Sequence, residues 1–104
     1  MNGDFYTHAM WRVRPGSEEE FERIWREELA PAFRAVGPDA TGTLIQSLQD
    51  SQLFFSFGPW ASLEEMERAR SDPEARRAIA KLLALCDEAS PGAYKLVLRI
   101  PEPE

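Results

Sequence analysis

The chain has 104 residues, of which 43% are apolar and 29% are charged, which suits one compact domain with one hydrophobic core and leaves no room for two. Its 12 Lys and Arg against 18 Asp and Glu give a formal net charge of -6, which excludes the basic surface of a typical nucleic-acid-binding protein. The single cysteine excludes an internal disulfide and any multi-thiolate metal site.

Neither a targeting segment nor a membrane span is evident. The first residues lack the cationic stretch and apolar run of a secretory signal. Every apolar run is far shorter than the roughly 20 residues that cross a bilayer. We therefore expect a cytoplasmic protein without membrane or nucleic-acid partners. One domain should span residues 1–104, with an ordered core over 5–100 and a solvated tail over 101–104.

Four strands are predicted from β-prone stretches bounded by turn residues. They cover residues 5–13, 41–49, 53–57 and 93–100. A short polar turn at 50–52 should join the second and third strands into an antiparallel hairpin.

The first helix should begin after the turn at Pro15-Gly16. Ser17 followed by three glutamates predicts a capping box, and apolar residues at three- and four-residue steps continue to Val36. Pro31 removes a backbone donor within this pattern and predicts a kink or a restart near Leu29.

A second helical region follows the third strand. Ser62 and Glu65 form another capping box, and Asp72 before Pro73 predicts a restart of the helix, which should run to about Ala89. Its apolar stripe is expected to include a buried, unreactive Cys86. The resulting order of elements predicts an α+β, ferredoxin-like βαββαβ fold with a four-stranded antiparallel sheet.

Both faces of this sheet carry apolar residues. In the first strand Trp11 and Val13 alternate with Met10, and in the third strand aromatic residues fill both alternating positions. Helices cover only one face, so the other should be polar in a monomer. We therefore predict a homodimer through the uncovered sheet face. The alternative is that aromatic residues merely decorate an open face.

The candidate catalytic side chains are few. His8 is the sole imidazole and could act as a general base, or it could be a hydrogen-bonded interface residue. Cys86 is the only other soft ligand, so no metal site is expected. The glutamates of the two capping boxes are explained by helix dipoles rather than by paired acid–base chemistry. Motifs for nucleophile elbows, phosphate loops and zinc proteases are missing.

Trp60 falls where the third strand ends and a capped helix begins, at the rim of the space between sheet and helices. Its indole could stack on an aromatic ligand, or it could be a wedge that closes the end of the domain. Trp25 shares an apolar helix face with Phe21 and Phe33, so packing alone accounts for it, although a ligand could touch its edge.

Three segments together resemble the antibiotic biosynthesis monooxygenase family. They are Val-Arg-Pro-Gly-Ser-Glu-Glu-Glu-Phe over Val13–Phe21, the stretch Leu44–Ser47, and Gly-Pro-Trp-Ala-Ser over Gly58–Ser62 before a helix. The resemblance covers nearly the whole chain. It implies a dimeric α+β barrel with a pocket between sheet and helices.

Haem-degrading members of that family carry an Asn in the first strand and a His on the later helix. Here Ala9 and Ala78 stand at or near those positions, and only Trp60 is kept. Without an imidazole on that helix to ligate iron, we do not expect haem oxygenase activity.

The remaining resemblance is to cofactor-independent monooxygenases, in which a small phenol, hydroquinone or polyketide-like substrate gives an electron to O2 in an apolar pocket. It implies no metal and no cofactor. We expect catalytic roles for His8 and Trp60, and a substrate-binding wall formed by Thr7, Trp11, Trp25, Phe33 and Phe55. Thr7 and His8 point to opposite sheet faces, so at most one can line the pocket. The alternative is a noncatalytic dimer that binds a small hydrophobic ligand or serves as an interaction module.

Overall fold

The computed structural model describes residues 4–101, which form one antiparallel sheet with helices packed on one of its faces. The strands are β1 (Phe5–Val13), β2 (Thr43–Gln46), β3 (Leu53–Trp60) and β4 (Cys86–Lys95). Their order in the sheet is β2-β3-β1-β4. This is the ferredoxin-like topology, and the predicted α+β fold class is confirmed.

The helices are α1 (Glu18–Ile24), a π-helical turn (Trp25–Leu29), α2 (Ala30–Val36), α3 (Leu63–Ser71) and α4 (Pro73–Ala84). None of these helices is long and apolar enough to cross a membrane, as far as residues 4–101 are concerned.

The π-helical turn has a local cause in Pro31. A proline in a regular helix lacks the N–H that its turn requires, and its ring presses on the carbonyl four residues earlier. Widening the preceding turn relieves this conflict, and the Ala30 N–H donates to the Trp25 carbonyl five residues back. Where the sequence predicts a kink or a restart near Leu29, the helix continues through a π turn that ends at Leu29.

Two of the three predicted helix caps are present. Ser62 Oγ accepts from Glu65 N at 3.1 Å, and Asp72 Oδ2 accepts from Ala75 N at 3.0 Å. The cap predicted at Ser17 is wrong, since its side chain makes no capping bond. Ser17 has φ -103° and ψ 6°, which differs from the extended conformation of a capping residue.

The C-terminal boundary differs most from prediction. The last helix ends at Ala84 rather than Ala89, and the last strand covers Cys86–Lys95 rather than 93–100. The cause is the length of β1, which pairs with β4 from Phe5 to Val13. The pairing with β1 includes Pro91. An edge strand tolerates a proline because one side of the strand has no pairing partner.

Three smaller boundaries also change. Strand β2 is shorter than the predicted 41–49, and β3 extends three residues beyond the predicted end of 53–57. Cys86 lies in β4 and is half-buried, so its predicted place in a buried helical stripe is wrong.

The core lies between the sheet and the helices. Phe21 of α1 contacts Trp11 of β1 and Phe54 of β3, with ring centroids 5.5 Å and 5.1 Å apart. The fully buried side chains also include Leu29, Leu82 and Val13. These contacts fix the helices on the sheet and determine where space is left between them.

The opposite sheet face carries no helix within residues 4–101 and is rich in aromatic side chains. We call it the outer face. The His8 ring lies there, 5.9 Å from Phe55 and 5.5 Å from Tyr94 between centroids. Phe57 is 37% exposed, Ile45 48% and Tyr94 52%.

Candidate functional site

A cavity of about 370 Å³ lies between the helix-covered side of the sheet and the helical segment that runs through the π turn. This volume is in the range that suits small organic ligands. Its apolar walls come from aromatic side chains of both layers. They are Trp11, Trp25, Phe33 and Trp60.

The helical wall of the cavity is formed by side chains that recur every four residues. It includes the row Glu22, Arg26, Ala30 and Arg34 and the row Trp25, Leu29 and Phe33. In a regular α-helix residues eight apart, such as Arg26 and Arg34, lie about 80° apart around the axis. The π turn holds additional backbone in one turn and reduces this drift. Pro31 thus contributes to the site indirectly, through the helix register.

Trp60 is held at one end of the cavity by a hydrogen bond across the sheet. Its Nε1–H donates to Thr7 Oγ1 at 3.1 Å. Phe33 contacts the same indole edge to face, with centroids 5.2 Å apart and planes at 87°. Trp60 is buried, and it also borders the cavity.

A second indole–hydroxyl pair lies deeper in the same wall. Trp11 Nε1–H donates to Ser56 Oγ at 2.9 Å, and both residues are buried. Ser56 is opposite Ala9 in the register of β1 and β3, so its side chain is on the helix side of the sheet. It is the one buried polar side chain in the part of the chain described here.

These two pairs leave two hydroxyl protons free. An indole N–H is only a donor, so in each pair the hydroxyl oxygen is the acceptor. Neither Thr7 Oγ1 nor Ser56 Oγ makes another hydrogen bond within residues 4–101. Each hydroxyl can therefore donate its own proton to a ligand in the cavity that both residues line.

Trp25 has a polar atom without a partner. Its Nε1 is buried and finds no acceptor among residues 4–101. A Cβ at Gly42 would be 3.8 Å from the six-membered ring of this indole, which places the loop before β2 beside it.

The same loop crosses close to Gly58 of β3. A Cβ at Gly58 would collide with the carbonyl oxygen of Thr41 and approach Gly42 Cα at 3.1 Å. Only glycine leaves room for this crossing. Thr41, Gly42 and Gly58 all line the cavity, so the close approach shapes its wall.

The structure separates the predicted site residues into two groups. Thr7, Trp11, Trp25, Phe33 and Trp60 border the cavity. His8 also borders it, but the ring packs on the outer face, so the imidazole is directed away from the cavity. Phe55 lies on the outer face and is not part of the cavity wall.

Ser56 was not predicted as a site residue. The available signal was a small polar residue between Phe55 and Phe57 in an apolar strand. Its place in the cavity wall depends on the register of β3 against β1, which the local sequence does not specify.

The Cys86 thiol lies outside the cavity. Desolvation raises the pKa of the Cys86 thiol, and the residue does not line the cavity. No three His, Cys, Asp or Glu side chains within residues 4–101 are grouped so that they could hold a metal ion.

Solved structures with this fold include SnoaB from Streptomyces nogalater, a cofactor-independent oxygenase that has a TM-score of 0.75 to this chain. The two share 22% identity over 95% of this chain and 99% of SnoaB. PA3566 from Pseudomonas aeruginosa has a TM-score of 0.72 and 24% identity, covering 94% of this chain and 98% of its own.

A Caulobacter crescentus protein provisionally described as an antibiotic biosynthesis monooxygenase has a TM-score of 0.77 and 18% identity, with 93% of this chain and 92% of that chain covered. At these identities the likeness establishes the fold alone. No curated protein shows significant sequence similarity to the chain. The sequence model of the antibiotic biosynthesis monooxygenase family matches residues 4–81. The chain therefore belongs to the antibiotic biosynthesis monooxygenase family.

Proposed function

We propose that this protein is a cofactor-independent monooxygenase that oxidises a small phenol, hydroquinone or polyketide-like aromatic with O2 in the cavity between sheet and helices. Family membership and the SnoaB-like fold support the reaction class. The aromatic walls support the substrate class, because indole and phenyl rings favour flat aromatic ligands.

One observation carries the proposal: the hydroxyls of Thr7 and Ser56 each accept from an indole and keep a proton to donate. A phenol becomes a better electron donor to O2 when it is ionised. Two oriented hydroxyls in a largely apolar cavity would stabilise the developing phenolate oxygen more than water does. The indole hydrogen bonds hold both hydroxyl oxygens at the cavity wall before the substrate arrives, so little reorganisation is needed.

The reaction balances without a further reductant. An anthrone-like substrate loses a proton from its ring-flanking methylene, and the resulting anion passes one electron to O2. The substrate radical and superoxide then combine, forming a C–O bond. The hydroperoxide loses water as the O–O bond breaks, which leaves a carbonyl. One oxygen atom stays in the product, and the other leaves as water with the two methylene hydrogens.

The protein's part in this scheme is to bind, orient and exclude water. Trp60 and Phe33 form one end of the wall, and the buried Trp11 forms another part. An apolar enclosure of this kind protects a radical pair from competing reactions. We assign Trp60 a positioning role through Thr7, together with a contact to the substrate ring. The His8 ring faces away from the cavity, so it does not accept the proton that the substrate methylene loses. We assign that proton to solvent at the mouth of the cavity.

We also propose that the protein is a homodimer formed through the outer face. The exposed side chains of Phe57, Ile45 and Tyr94 on that face support this assembly. A second copy of the same face would cover them in a closed two-fold interface. His8 would then be an interface residue, which is the alternative role expected from the sequence.

A noncatalytic ligand-binding protein is the second candidate. It is favoured by the orientation of His8, because the only imidazole in the chain is directed away from the cavity. This candidate predicts the same binding of aromatic molecules but no consumption of O2.

An oxygen electrode distinguishes these candidates. With a panel of anthrones and hydroquinones we expect O2 uptake above the buffer rate, and for an anthrone under ¹⁸O2 we expect one labelled atom in the product. Ser56→Ala should lower the rate about tenfold, the size of one lost hydrogen bond to a charged oxygen. Ser51→Ala, in the exposed turn before β3, should have no effect. Uptake at the buffer rate across the panel would contradict the enzymatic proposal and leave binding alone.

A further inference from the structure

Three arginines surround the opening of the cavity. Arg26 lies in the π turn, Arg34 in α2 and Arg70 near the end of α3, and all three line the cavity. They are exposed residues that line the cavity, and we therefore place them at its mouth. We call them the mouth arginines.

Within residues 4–101 the mouth arginines form no salt bridge, whereas five of the nine other Lys and Arg residues do. Arg12 pairs with Asp50 at 2.8 Å, and Arg77 with Glu74 at 2.8 Å. The chain has six more acidic than basic residues, so unpaired arginines are not explained by a shortage of carboxylates. Glu22 is the one acidic side chain in the cavity lining, and no ion pair joins it to a mouth arginine.

The mouth arginines are brought together by the fold, since Arg70 is distant from the other two in the sequence. Arg26 and Arg34 are aligned along the cavity by the π turn, with the small Ala30 between them. Arg70 comes from a different helix. A solvated helix face explains one exposed arginine, but it does not explain why three from two helical regions line the same apolar cavity.

We propose that the natural ligand carries a carboxylate beside its aromatic part, and that the mouth arginines bind it while the aromatic part enters the cavity. Guanidinium groups match carboxylates in charge and in hydrogen-bonding geometry. The positive mouth would also attract such a ligand against the negative charge of the whole chain. This inference deepens the proposed function, since it uses the same cavity for the aromatic part.

Isothermal titration calorimetry with two probes of equal ring size tests this without turnover. The probes are naphthoate and its uncharged analogue naphthylmethanol. We expect naphthoate to bind about tenfold more tightly at low salt, and added salt to reduce that preference. Arg70→Gln should reduce the preference about threefold. Arg68→Gln, on the same helix but outside the cavity lining, should leave it unchanged.

Arg70 is the most informative position, because Arg26 and Arg34 also line a neighbouring depression with Pro31 and Pro38. Equal affinities for the two probes, or a preference that Arg70→Gln does not change, would overturn the inference. Binding of naphthylmethanol with no carboxylate preference would leave the monooxygenase proposal intact. Conversely, a carboxylate preference without O2 uptake would support the inference and contradict the catalytic proposal.

Discussion

Trp60 Nε1 donates to Thr7 Oγ1 at 3.1 Å across 53 residues of sequence, which joins the end of β3 to the start of β1 beside the cavity. The bond orients the indole and sets the direction in which the Thr7 hydroxyl can donate. In the proposed function this one pair of residues both orients the indole and offers a hydroxyl to the substrate.

Thr7→Val keeps the side-chain shape and removes the hydroxyl, so kcat/KM for an anthrone should fall about fivefold to tenfold. Thr7→Ser retains the hydroxyl and should restore most of this loss. Steady-state O2 uptake measures both variants. If valine and serine have the same effect, the hydroxyl has no part in the reaction.

Ser56→Ala leaves the Trp11 N–H buried without an acceptor, and the free energy of unfolding should fall by about 1–3 kcal/mol. Trp11→Phe removes the donor as well, so the effect of Ser56→Ala should be much smaller in that background. Urea unfolding of the four proteins in this cycle gives the coupling free energy. Additive effects would show that the bond does not stabilise the fold.

Gly58→Ala should destabilise the protein by about 2 kcal/mol or more, because its Cβ would collide with Thr41 and the loop must move. Gly42→Ala is the matched control, since its Cβ makes only ordinary contact with Trp25 at 3.8 Å. Thermal unfolding compares the two variants. Equal Tm values would contradict the close crossing of the loop over β3.

The ion pair of Arg12 and Asp50 predicts an acid-dependent loss of stability. The hydrogen bond from Arg12 lowers the pKa of Asp50 below its ordinary value of 3.8. A depressed pKa in the folded state means that the stabilisation is complete above the unfolded pKa and is lost as pH falls through the folded pKa.

Asp50→Asn should therefore lower Tm slightly at pH 7, and the difference from the parent protein should vanish below the folded pKa. The effect is small because the pair is partly exposed and screened by solvent. A difference that stays constant down to pH 2 would contradict this origin.

From the exposed apolar side chains of the outer face we predict a homodimer. Sedimentation velocity at micromolar concentration should show a species of twice the 11.8 kDa of one chain. Phe57→Lys should shift it to the monomer, because a charge would be buried in the interface. Leu83→Lys, at 41% exposure against 37% for Phe57, is the matched control on α4 and should stay dimeric. A folded monomer of the parent protein would contradict the dimer.

The sequence predicts those parts of the fold that depend on local signals, such as turn residues and prolines. Residues 5–13 form β1 as predicted, because β-prone residues end at a clear turn signal. The helical irregularity near Leu29 could be predicted from Pro31 alone. By contrast, residues 86–92 carry no β-branched side chains and include Pro91 and Gly92, so nothing local indicates the strand that they form against β1.

The candidate site divides in the same way. Thr7 could be predicted as a cavity residue from strand alternation, Trp25 from the apolar periodicity of the first helix and Trp60 from its place at the end of a strand. Ser56 could not, because its bond to Trp11 spans 45 residues and depends on the register of β1 and β3. The mouth arginines were missed because exposed arginines on helices are ordinary until the π turn and α3 bring them to one opening.

A crystal structure of the protein soaked with an anthrone under anaerobic conditions tests the central claim most directly. We expect the aromatic rings between sheet and helices, with the ligand oxygen within hydrogen-bonding distance of Thr7 Oγ1 or Ser56 Oγ. An anthrone bound elsewhere, or bound in the cavity with its oxygen turned away from both hydroxyls, would contradict it.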